Sequence, residues 1–382
     1  MRRVFFKIYL SIYIIFYFSI TTLSQIHVRF DVKQLPQSHA NDTLYVAGSF
    51  NMWNPKDSKA AFIKSEGHTY LDMELERGLY EYKITRGTWN KTETTNNGGN
   101  ISNRVVRLIK DTTINILVTG WKDDFKSEMI AKKHTASDHV NILDSAFYIP
   151  QLNRVKKIRV YLPKDYLNTK KRFTVLYMHD GQNLFDEFTA GFGEWGIDEC
   201  LDSLFSQGKK ECIVIGIDNG PKRMNEYNPY DFKQAGKGEG NEYIDFIAKT
   251  LKPYVDKHLR TLKDKKNTFI AGSSMGGLIS LYAVMKYPNV FGGAGIFSPA
   301  FWTASGLEND LKTTAKKINS KLFFYAGGSE SDRMVPDMKQ IENDIKSLSS
   351  SKIYEEIDPE AKHNEAAWRK YFPDFYRLII QD

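Results

Sequence analysis

Cysteine and clustered basic residues are both scarce in this chain of 382 residues. The two cysteines, Cys200 and Cys212, lack the spacing of a metal site, and each lies in an apolar segment. They either pair in an oxidising compartment or remain buried free thiols. Lysine and arginine form only short runs such as KDKK at 263–266, which is typical of a solvated loop. The charge distribution therefore does not indicate a nucleic-acid-binding protein.

Long disordered tracts and an evident internal repeat are also absent from the sequence. Because compact domains usually contain about 100 to 200 residues, a chain of this length predicts two domains. The composition is that of an ordinary globular protein except at the N-terminus.

Residues 1–24 have the order of a secretory signal peptide. Arg2, Arg3 and Lys7 precede an apolar stretch, and small or hydroxyl residues precede Gln25. The prediction is export to the periplasm or the extracellular space, with cleavage lowering the formal net charge from +7 to about +4. The alternative is a retained signal anchor, since the apolar stretch approaches membrane-spanning length. Only in that case do we expect the protein to be bound to a membrane.

Residues 26–122 predict an all-β, immunoglobulin-like sandwich. Short segments of alternating polar and apolar residues are separated by Gly, Asn, Asp and Pro, as in half-buried strands joined by turns. These segments are IHVRFDV, TLYVAGSF, TYLDMEL, YEYKITR, RVVRLI and TINILVTGW. A domain of this size and pattern indicates a binding or spacer module.

Parts of this domain resemble the starch- and glycogen-binding modules found beside glucan-branching enzymes. The resemblance rests on VAGSFNMWNP at 46–55, LERGLYEYKITRGTW at 75–89 and NISNRVVRL at 100–108. In such modules two tryptophans stack on glucose rings while a lysine and an asparagine bond the hydroxyls. The resemblance implies these carbohydrate-binding roles for Trp53, Trp89, Lys83 and Asn103. The alternative is that both tryptophans are structural rings on the rim of a spacer domain.

Residues 123–139 are polar, lack a hydrophobic period and predict a linker. From 140 to 382, strand-like apolar runs alternate with amphipathic helical stretches, which predicts a mostly parallel sheet with helices on both faces. One predicted helical face carries Tyr243, Phe246, Ile247, Leu251 and Val255. In such sheets, reactive groups collect at the carboxyl ends of the strands.

The segment AGSSMGG at 271–277 follows one of these strands and precedes a helical pattern. Only Ser274 is centred in a Gly-x-Ser-x-Gly frame, between Gly272 and Gly276. In this motif the serine occupies a strained turn, and the glycines remove side chains that would collide there. A phosphate-binding loop is the alternative, but the Gly-Lys-Ser/Thr ending of that loop is absent. Ser274 is therefore the predicted nucleophile.

A serine nucleophile needs a base, and the base needs a carboxylate that orients it; both follow the serine in this motif's usual chain order. His363 is the only histidine downstream of Ser274, and it comes after the last predicted strand. Glu330 lies directly after the strand LFFYAGG and is the predicted acid, with Asp332 as the alternative. Either carboxylate could instead cap the helix that begins near Met334.

The tetrahedral intermediate of acyl transfer also needs hydrogen-bond donors for its oxyanion. The backbone N–H of Met275, directly after the nucleophile, is one predicted donor. The turn in LYMHDGQNLFD at 176–186 supplies the other, which we assign to the Gln182 backbone N–H. We expect His179 and Asp180 to stabilise this turn, because no cluster of further ligands supports a metal there.

The region 140–382 as a whole resembles the exported esterases of the esterase D type, which include feruloyl and acetylxylan esterases, enterochelin-type siderophore esterases and mycolyltransferases. The resemblance rests on MHDGQNLFD, GEWGIDE, RMNEYNP, AGSSMGG, FSPAFW, GGSE and His363. It implies an α/β-hydrolase fold, with Glu330 as the acid and with Gln182 and Met275 in the oxyanion hole. It also implies that Trp195, Arg223, Tyr227 and Trp302 surround the substrate pocket, although Trp195 could pack its helix and Arg223 could pair with Glu226 or another nearby acid.

These features predict a secreted serine ester hydrolase that forms an acyl-enzyme and requires neither a metal nor an organic cofactor. The sugar-binding-like module makes an acylated poly- or oligosaccharide, carrying acetyl or feruloyl groups, the expected substrate. The alternatives are a siderophore esterase, an acyltransferase and a non-catalytic glucan-binding protein.

Overall fold

A computed structural model describes residues 25–51, 53–99, 101, 103–125 and 133–380. The predicted signal peptide, residues 1–24, lies outside the described residues. The chain divides into two compact units, the first ending at Trp121 and the second beginning at Lys122. Among the helices of the described residues, none is both long enough and apolar enough to cross a bilayer.

The first unit is all-β. Its strands are β1 (Ile26–Gln34), β2 (Tyr45–Gly48), β3 (Ile63–Ser65), β4 (His68–Leu75), β5 (Gly78–Thr85), β6 (Glu93–Thr94), β7 (Arg104–Leu108), β8 (Thr112–Leu117) and β9 (Gly120–Trp121). They form a four-stranded sheet in the order β3-β4-β1-β8, a three-stranded sheet in the order β2-β5-β7, and the pair β6-β9. All pairings are antiparallel except β1 with β8, which is parallel.

The core of the first unit is shared by its two larger sheets. On β1, Val28 and Phe30 are buried while Arg29 between them is exposed, which is the alternation expected of a half-buried strand. Val46 and Ile84 from the three-stranded sheet join the same hydrophobic cluster. The fold is therefore all-β with a common core between two sheets, and the immunoglobulin-like identity stays a prediction.

The second unit contains one eight-stranded sheet flanked by helices. Its strands are β10 (Val140–Ile149), β11 (Arg154–Tyr161), β12 (Thr174–His179), β13 (Cys212–Ile217), β14 (Thr268–Ser273), β15 (Gly293–Phe297), β16 (Lys321–Gly327) and β17 (Lys352–Asp358). Its α-helices are α1 (Ile197–Ser206), α2 (Arg223–Glu226), α3 (Gly240–Phe246), α4 (Lys252–His258), α5 (Met275–Lys286), α6 (Leu307–Thr314), α7 (Met334–Leu348) and α8 (Glu365–Phe375).

The strand order is β10-β11-β13-β12-β14-β15-β16-β17. The first two pairings are antiparallel and the remaining ones are parallel. This arrangement is an α/β-hydrolase-like fold, so the predicted class of the second domain is correct. Every residue of the central strands β12, β13, β14 and β15 is buried, as expected for parallel strands that are covered on both faces.

The helices cover the sheet with the faces that the sequence predicts. The five residues of the predicted amphipathic face, from Tyr243 to Val255, are all fully buried. Helix α5 is buried on nearly all sides, which fits its apolar sequence MGGLISLYAVMK. Because β12 and β14 to β17 are parallel, the loops that follow them meet at one edge of the sheet.

The last part of the predicted linker is attached to the second unit. The backbone N–H of Thr135 donates to Asp186 Oδ1 at 3.1 Å, and that of Ser137 donates to Asp198 Oδ2 at 2.7 Å. Residues 133–139 are therefore held by the second unit, while 126–132 lie outside the described residues. The two cysteines are both free thiols, with Cys212 fully buried.

Candidate active site

Ser274 occupies a strained turn between β14 and α5. Its φ of 58° and ψ of −121° are rare for a residue with a side chain. A Cβ on Gly272 would lie 2.9 Å from His179 Cδ2 and 3.0 Å from the carbonyl carbon of Gly276, so only glycine fits at that position. Gly277 is equally tight, since a Cβ there would lie 2.9 Å from the Phe297 carbonyl oxygen. The two glycines therefore permit the ends of β12 and β15 and the first turn of α5 to pack closely around the serine.

The structure brings Glu330 and His363 into direct contact. His363 Nδ1 lies 2.6 Å from Glu330 Oε2. The other carboxylate oxygen, Oε1, accepts from the Gly327 N–H at 2.7 Å and from the Ser298 hydroxyl at 2.6 Å. Asp332, the alternative acid, is exposed. Glu330 is thus the carboxylate that orients the His363 ring.

The charge of Glu330 also changes the acidity of His363. Burial of the imidazole disfavours its protonated form, but the negative charge of Glu330 and its hydrogen bond favour that form more strongly. The pKa of His363 is consequently raised above its ordinary value of 6.5. The pair is therefore built to stabilise an imidazolium.

One loop, residues 297–300, connects Ser274 to this pair. The Ser274 N–H donates to the Phe297 carbonyl at 2.9 Å, and the Ala300 N–H donates to the Ser274 carbonyl at 3.1 Å. Ser298, in the same loop, bonds Glu330 and also accepts from Trp368 Nε1 at 2.9 Å. Among the described residues no hydrogen bond joins the Ser274 hydroxyl to His363.

The turn that carries Gln182 is also fixed. Asp180 adopts a left-handed conformation, with φ 57° and ψ 46°, before the 3-10 turn Gly181–Asn183. The Gln182 carbonyl accepts from Thr189 Oγ1 at 2.7 Å, and its side-chain Oε1 accepts from the Asn219 N–H at 3.1 Å. Met275 is the first residue of α5, where a helix N–H has no carbonyl partner in its own helix.

Arg223 forms an ion pair with Asp180 and not with Glu226. Its Nε and Nη2 donate to the two Asp180 oxygens at 2.7 and 2.8 Å, and Asn219 Nδ2 donates to Oδ1 at 2.5 Å. Burial disfavours the Asp180 carboxylate, but the charge of Arg223 and the hydrogen bonds from Arg223 and Asn219 together lower the pKa of Asp180. Tyr227 is fully buried beneath the Arg223 guanidinium, which lies 5.0 Å from its ring centre. The Arg223 charge is therefore largely neutralised within the protein.

The two tryptophans predicted beside the pocket have different surroundings. Trp195 is 2% exposed, stacks on Trp368 with ring centres 5.5 Å apart, and meets Phe297 edge-on. The Trp195 ring therefore packs in the core and does not line a pocket. Trp302, in contrast, is 44% exposed and follows β15.

In the first unit, Trp53 and Trp89 lie side by side. Their ring centres are 6.4 Å apart and their planes are tilted by 41°; Trp89 is 36% exposed. Lys83 Nζ donates to the Ile101 carbonyl at 2.5 Å, and Asn103 Nδ2 donates to Glu81 Oε2 at 2.9 Å. The aromatic pair thus offers a partly open surface, whereas both polar side chains already have partners within the unit.

Residues 149–377, more than half of the chain, match the model of the family described as "Putative esterase". The chain belongs to this esterase family. A relative, "Uncharacterized protein YbbA" of Bacillus subtilis, is 26% identical over 234 residues, which are 57% of this chain and 89% of the relative. A second, "Endo-1,4-beta-xylanase/feruloyl esterase" of Xylanibacter ruminicola, is 28% identical over 165 residues, which are 42% of this chain and 22% of that protein.

A solved structure, the enterobactin esterase FES of Shigella flexneri with enterobactin, has a similar fold with a TM-score of 0.51. Its sequence identity is 14%, and the match covers 92% of this chain and 93% of that one. Family and relatives together identify this esterase as a carboxylic ester hydrolase.

Two residues beside the Glu330–His363 pair were not predicted. Ser298 follows β15 at the same sheet edge as Ser274 and Glu330, so considering the end of every strand would have found it. Glu365 is 6% exposed, with Asn183 Nδ2 3.5 Å from its Oε1, and burial raises its pKa to about 7. It lies two residues after His363, but nothing in its sequence position indicates burial.

Proposed function

We propose that this esterase cleaves its substrate through an acyl-enzyme on Ser274, with His363 as the base and Glu330 as the orienting acid. The main support is that residues 297–300 bond both the strained Ser274 turn and Glu330, which in turn contacts His363. A geometry so costly in backbone strain persists where it serves a function.

In the first step, Ser274 Oγ attacks the ester carbonyl carbon while His363 Nε2 accepts the hydroxyl proton. The resulting imidazolium is stabilised by Glu330 at Nδ1. His363 then gives the proton to the leaving alcohol as the C–O bond breaks, which leaves the acyl group on Ser274. Water repeats the sequence, releasing the carboxylic acid and restoring the serine.

The negative oxygen of each tetrahedral intermediate accepts hydrogen bonds from the backbone N–H groups of Met275 and Gln182. The Met275 N–H lies at the N-terminus of α5, where the helix dipole also favours negative charge. The bonds that Gln182 receives from Thr189 and Asn219 keep its turn in place before substrate arrives. No reorganisation is then needed at the transition state.

For the substrate, we propose an acetyl or feruloyl ester of a poly- or oligosaccharide. The support is the paired rings of Trp53 and Trp89, which suit a sugar face, and the relative whose name includes a feruloyl esterase. A siderophore ester is the second candidate, favoured by the FES-like fold across 92% of the chain. The neutralisation of Arg223 by Asp180 weakens it, since an anionic siderophore needs a basic pocket.

The catalytic proposal is tested by comparing the parent protein with Ser274→Ala on a chromogenic acetate ester. We expect a loss of at least about 10³-fold in kcat, because the nucleophile is removed. Ser273→Ala is the matched control, since Ser273 precedes the turn at the end of β14 and has no assigned role. Equal rates for the parent and Ser274→Ala would contradict the proposal and favour a non-catalytic glucan-binding protein.

A panel of feruloyl, acetyl-xylan and siderophore esters then tests the substrate. Preference for a siderophore ester over both sugar esters would overturn the sugar-ester assignment while leaving the serine mechanism in place. Transfer of the acyl group to a sugar alcohol in preference to water would identify an acyltransferase.

We also propose that the chain is exported, on the strength of the order of charges and apolar residues in 1–24. Cell fractionation followed by N-terminal sequencing is expected to give an exported chain that begins near Gln25. A chain that starts at Met1 in the membrane fraction would indicate the signal anchor instead.

A further inference from the structure

Three carboxylates converge where helix α1 begins, outside the proposed catalytic set. Glu194, Asp198 and Glu199 each place a carboxylate oxygen within 4.8 Å of the others. Gly196, with a left-handed φ of 60°, turns the chain between Glu194 and the first helical turn that carries the other two acids. The cluster therefore joins the loop before α1 to the helix itself.

Two of these carboxylates are buried and only partly paired. Glu194 is 5% exposed and Asp198 is fully buried. One oxygen of each has a donor: the Thr135 hydroxyl bonds Glu194 Oε2 at 3.1 Å, and the Ser137 N–H bonds Asp198 Oδ2 at 2.7 Å. Within the described chain, no N–H or O–H donor reaches the remaining oxygens, Glu194 Oε1 and Asp198 Oδ1, and the Asp198 carboxyl lies against the carboxyl of Glu199. A buried carboxylate oxygen without a partner is costly, so these two oxygens point to a ligand.

The charge of the cluster indicates what kind of ligand fits. The cation that the structure places against it is Arg369, whose Nη2 lies 4.0 Å from Glu194 Oε2 and whose side chain is about half exposed. Arg369 also donates to the Glu194 backbone carbonyl, so its guanidinium is shared between two acceptors. Three carboxylates against one guanidinium leave two formal negative charges, which match a divalent cation.

We propose that Glu194, Asp198 and Glu199 bind a calcium ion. The ligands are all oxygens, which suit hard cations. Calcium accepts six to eight oxygen ligands in a flexible geometry, whereas magnesium requires a near-ideal octahedron, so three carboxylates drawn from a loop and a helical turn suit calcium better. The exposed Glu199 leaves one side of the ion open to water ligands.

The ion would fasten residues 133–139 to helix α1, because the same carboxylates hold Thr135 and Ser137. It would also support the turn of the proposed oxyanion donor, since the Trp195 N–H donates to the Asn183 carbonyl at 2.9 Å. Its expected effect is on stability and on the order of this loop, and it takes no part in the chemical steps.

The test uses the full-length protein after treatment with a chelator. Terbium, which replaces calcium at oxygen sites, is expected to luminesce on excitation of tryptophan, because Trp195 is adjacent in sequence to Glu194. Calcium at 1 mM should displace terbium and raise the Tm by about 3 to 6 °C, and magnesium should do so less. Asp198→Asn and Glu199→Gln should each reduce calcium affinity by at least about tenfold. Glu199→Gln alters an exposed residue and preserves the test if Asp198→Asn does not fold.

Glu342→Gln is the matched control, because Glu342 is also a buried acid beside a second acid but already has the Lys346 ammonium at 3.3 Å and belongs to helix α7. It should leave calcium binding unchanged. Absence of both terbium luminescence and a calcium-dependent Tm shift in the parent would overturn the proposal. An equal loss of binding in Glu342→Gln and Glu199→Gln would also overturn it, since calcium would then bind by diffuse charge.

Discussion

The polar side chains around His363 bond one another, whereas those beside the Trp53–Trp89 rim bond other parts of their own unit. Around His363, a buried carboxylate meets a histidine at 2.6 Å, and each of its oxygens has a donor. On the rim, the aromatic rings are partly open, and the neighbouring Lys83 and Asn103 are bonded to their own unit. The first arrangement is preorganised for charge that develops during a reaction, whereas the second only offers a surface.

Among the changes that test this contrast, the largest effect is expected at Glu330. Glu330→Gln keeps the shape of the side chain but presents an amide N–H₂ to His363 Nδ1, because the single remaining oxygen is needed by Gly327 and Ser298. The histidine is then held in the wrong tautomer, and we expect kcat on a chromogenic ester to fall by about 10² to 10⁴-fold. Asp332→Asn, at the exposed alternative acid, should change kcat by less than about twofold. A larger loss in Asp332→Asn than in Glu330→Gln would reverse the assignment.

The pH dependence of kcat/KM gives a second test of the contact between Glu330 and His363. Since His363 must be neutral to act as a base, activity is lost as the pH falls through its pKa. That pKa is raised by Glu330, so the acidic midpoint of kcat/KM for the parent should lie above 6.5. In Glu330→Gln the negative charge is gone, and the midpoint of the residual activity should move to lower pH. An unchanged midpoint would show that Glu330 does not set the acidity of His363.

Local pattern was enough to predict the turn that carries Ser274 and its place between a strand and a helix. The glycine spacing around Ser274, the strand before it and the helix after it all follow from residues close together in the chain. The single downstream histidine and the acid after β16 could be found because the carboxyl ends of parallel strands share one edge. The two-domain organisation and the α/β class followed from the change of hydrophobic period.

The remaining features depend on tertiary packing that has no local signature. Trp195 lies in a motif that implied a pocket, yet its ring is sandwiched in the core by α8, which is far away in sequence. Arg223 meets Asp180 across 43 residues, whereas Glu226, three residues away, bonds Arg154. The partners of a charged side chain are chosen by the fold, so proximity in sequence was a poor guide to them.

A smaller effect, on stability, is expected at Glu365. Burial raises the pKa of this carboxyl from 4.5 to about 7, so the folded state holds a proton that the unfolded state releases above about pH 4.5. Stability contributed at this position is therefore lost as the pH rises from about 4.5 to 7. Glu365→Gln should remove that loss and raise the free energy of unfolding by about 2 to 3 kcal/mol at pH 8, with little change at pH 4.5. Chemical denaturation at both pH values measures the free energy of unfolding, and Glu360→Gln, at an exposed acid, is the control. An increase in the free energy of unfolding that is equal at pH 4.5 and pH 8 would contradict the burial argument.

The smallest effect is expected at the aromatic rim, where each ring adds one stacking surface. Trp89→Ala and Trp53→Asn should each weaken binding to soluble starch or xylan by about tenfold, which corresponds to about 1.4 kcal/mol. Asparagine is chosen at position 53 because the backbone there has a φ of 58°, which asparagine tolerates better than alanine. Val105→Ala, another exposed apolar residue of the same unit, should leave glucan binding unchanged. Neither tryptophan variant should alter kcat on a small chromogenic ester, since the rim takes no part in the proposed chemistry. Affinity electrophoresis measures the binding. A parent protein that neither polysaccharide retards would remove the rim from the substrate argument while leaving the Glu330–His363 chemistry untouched.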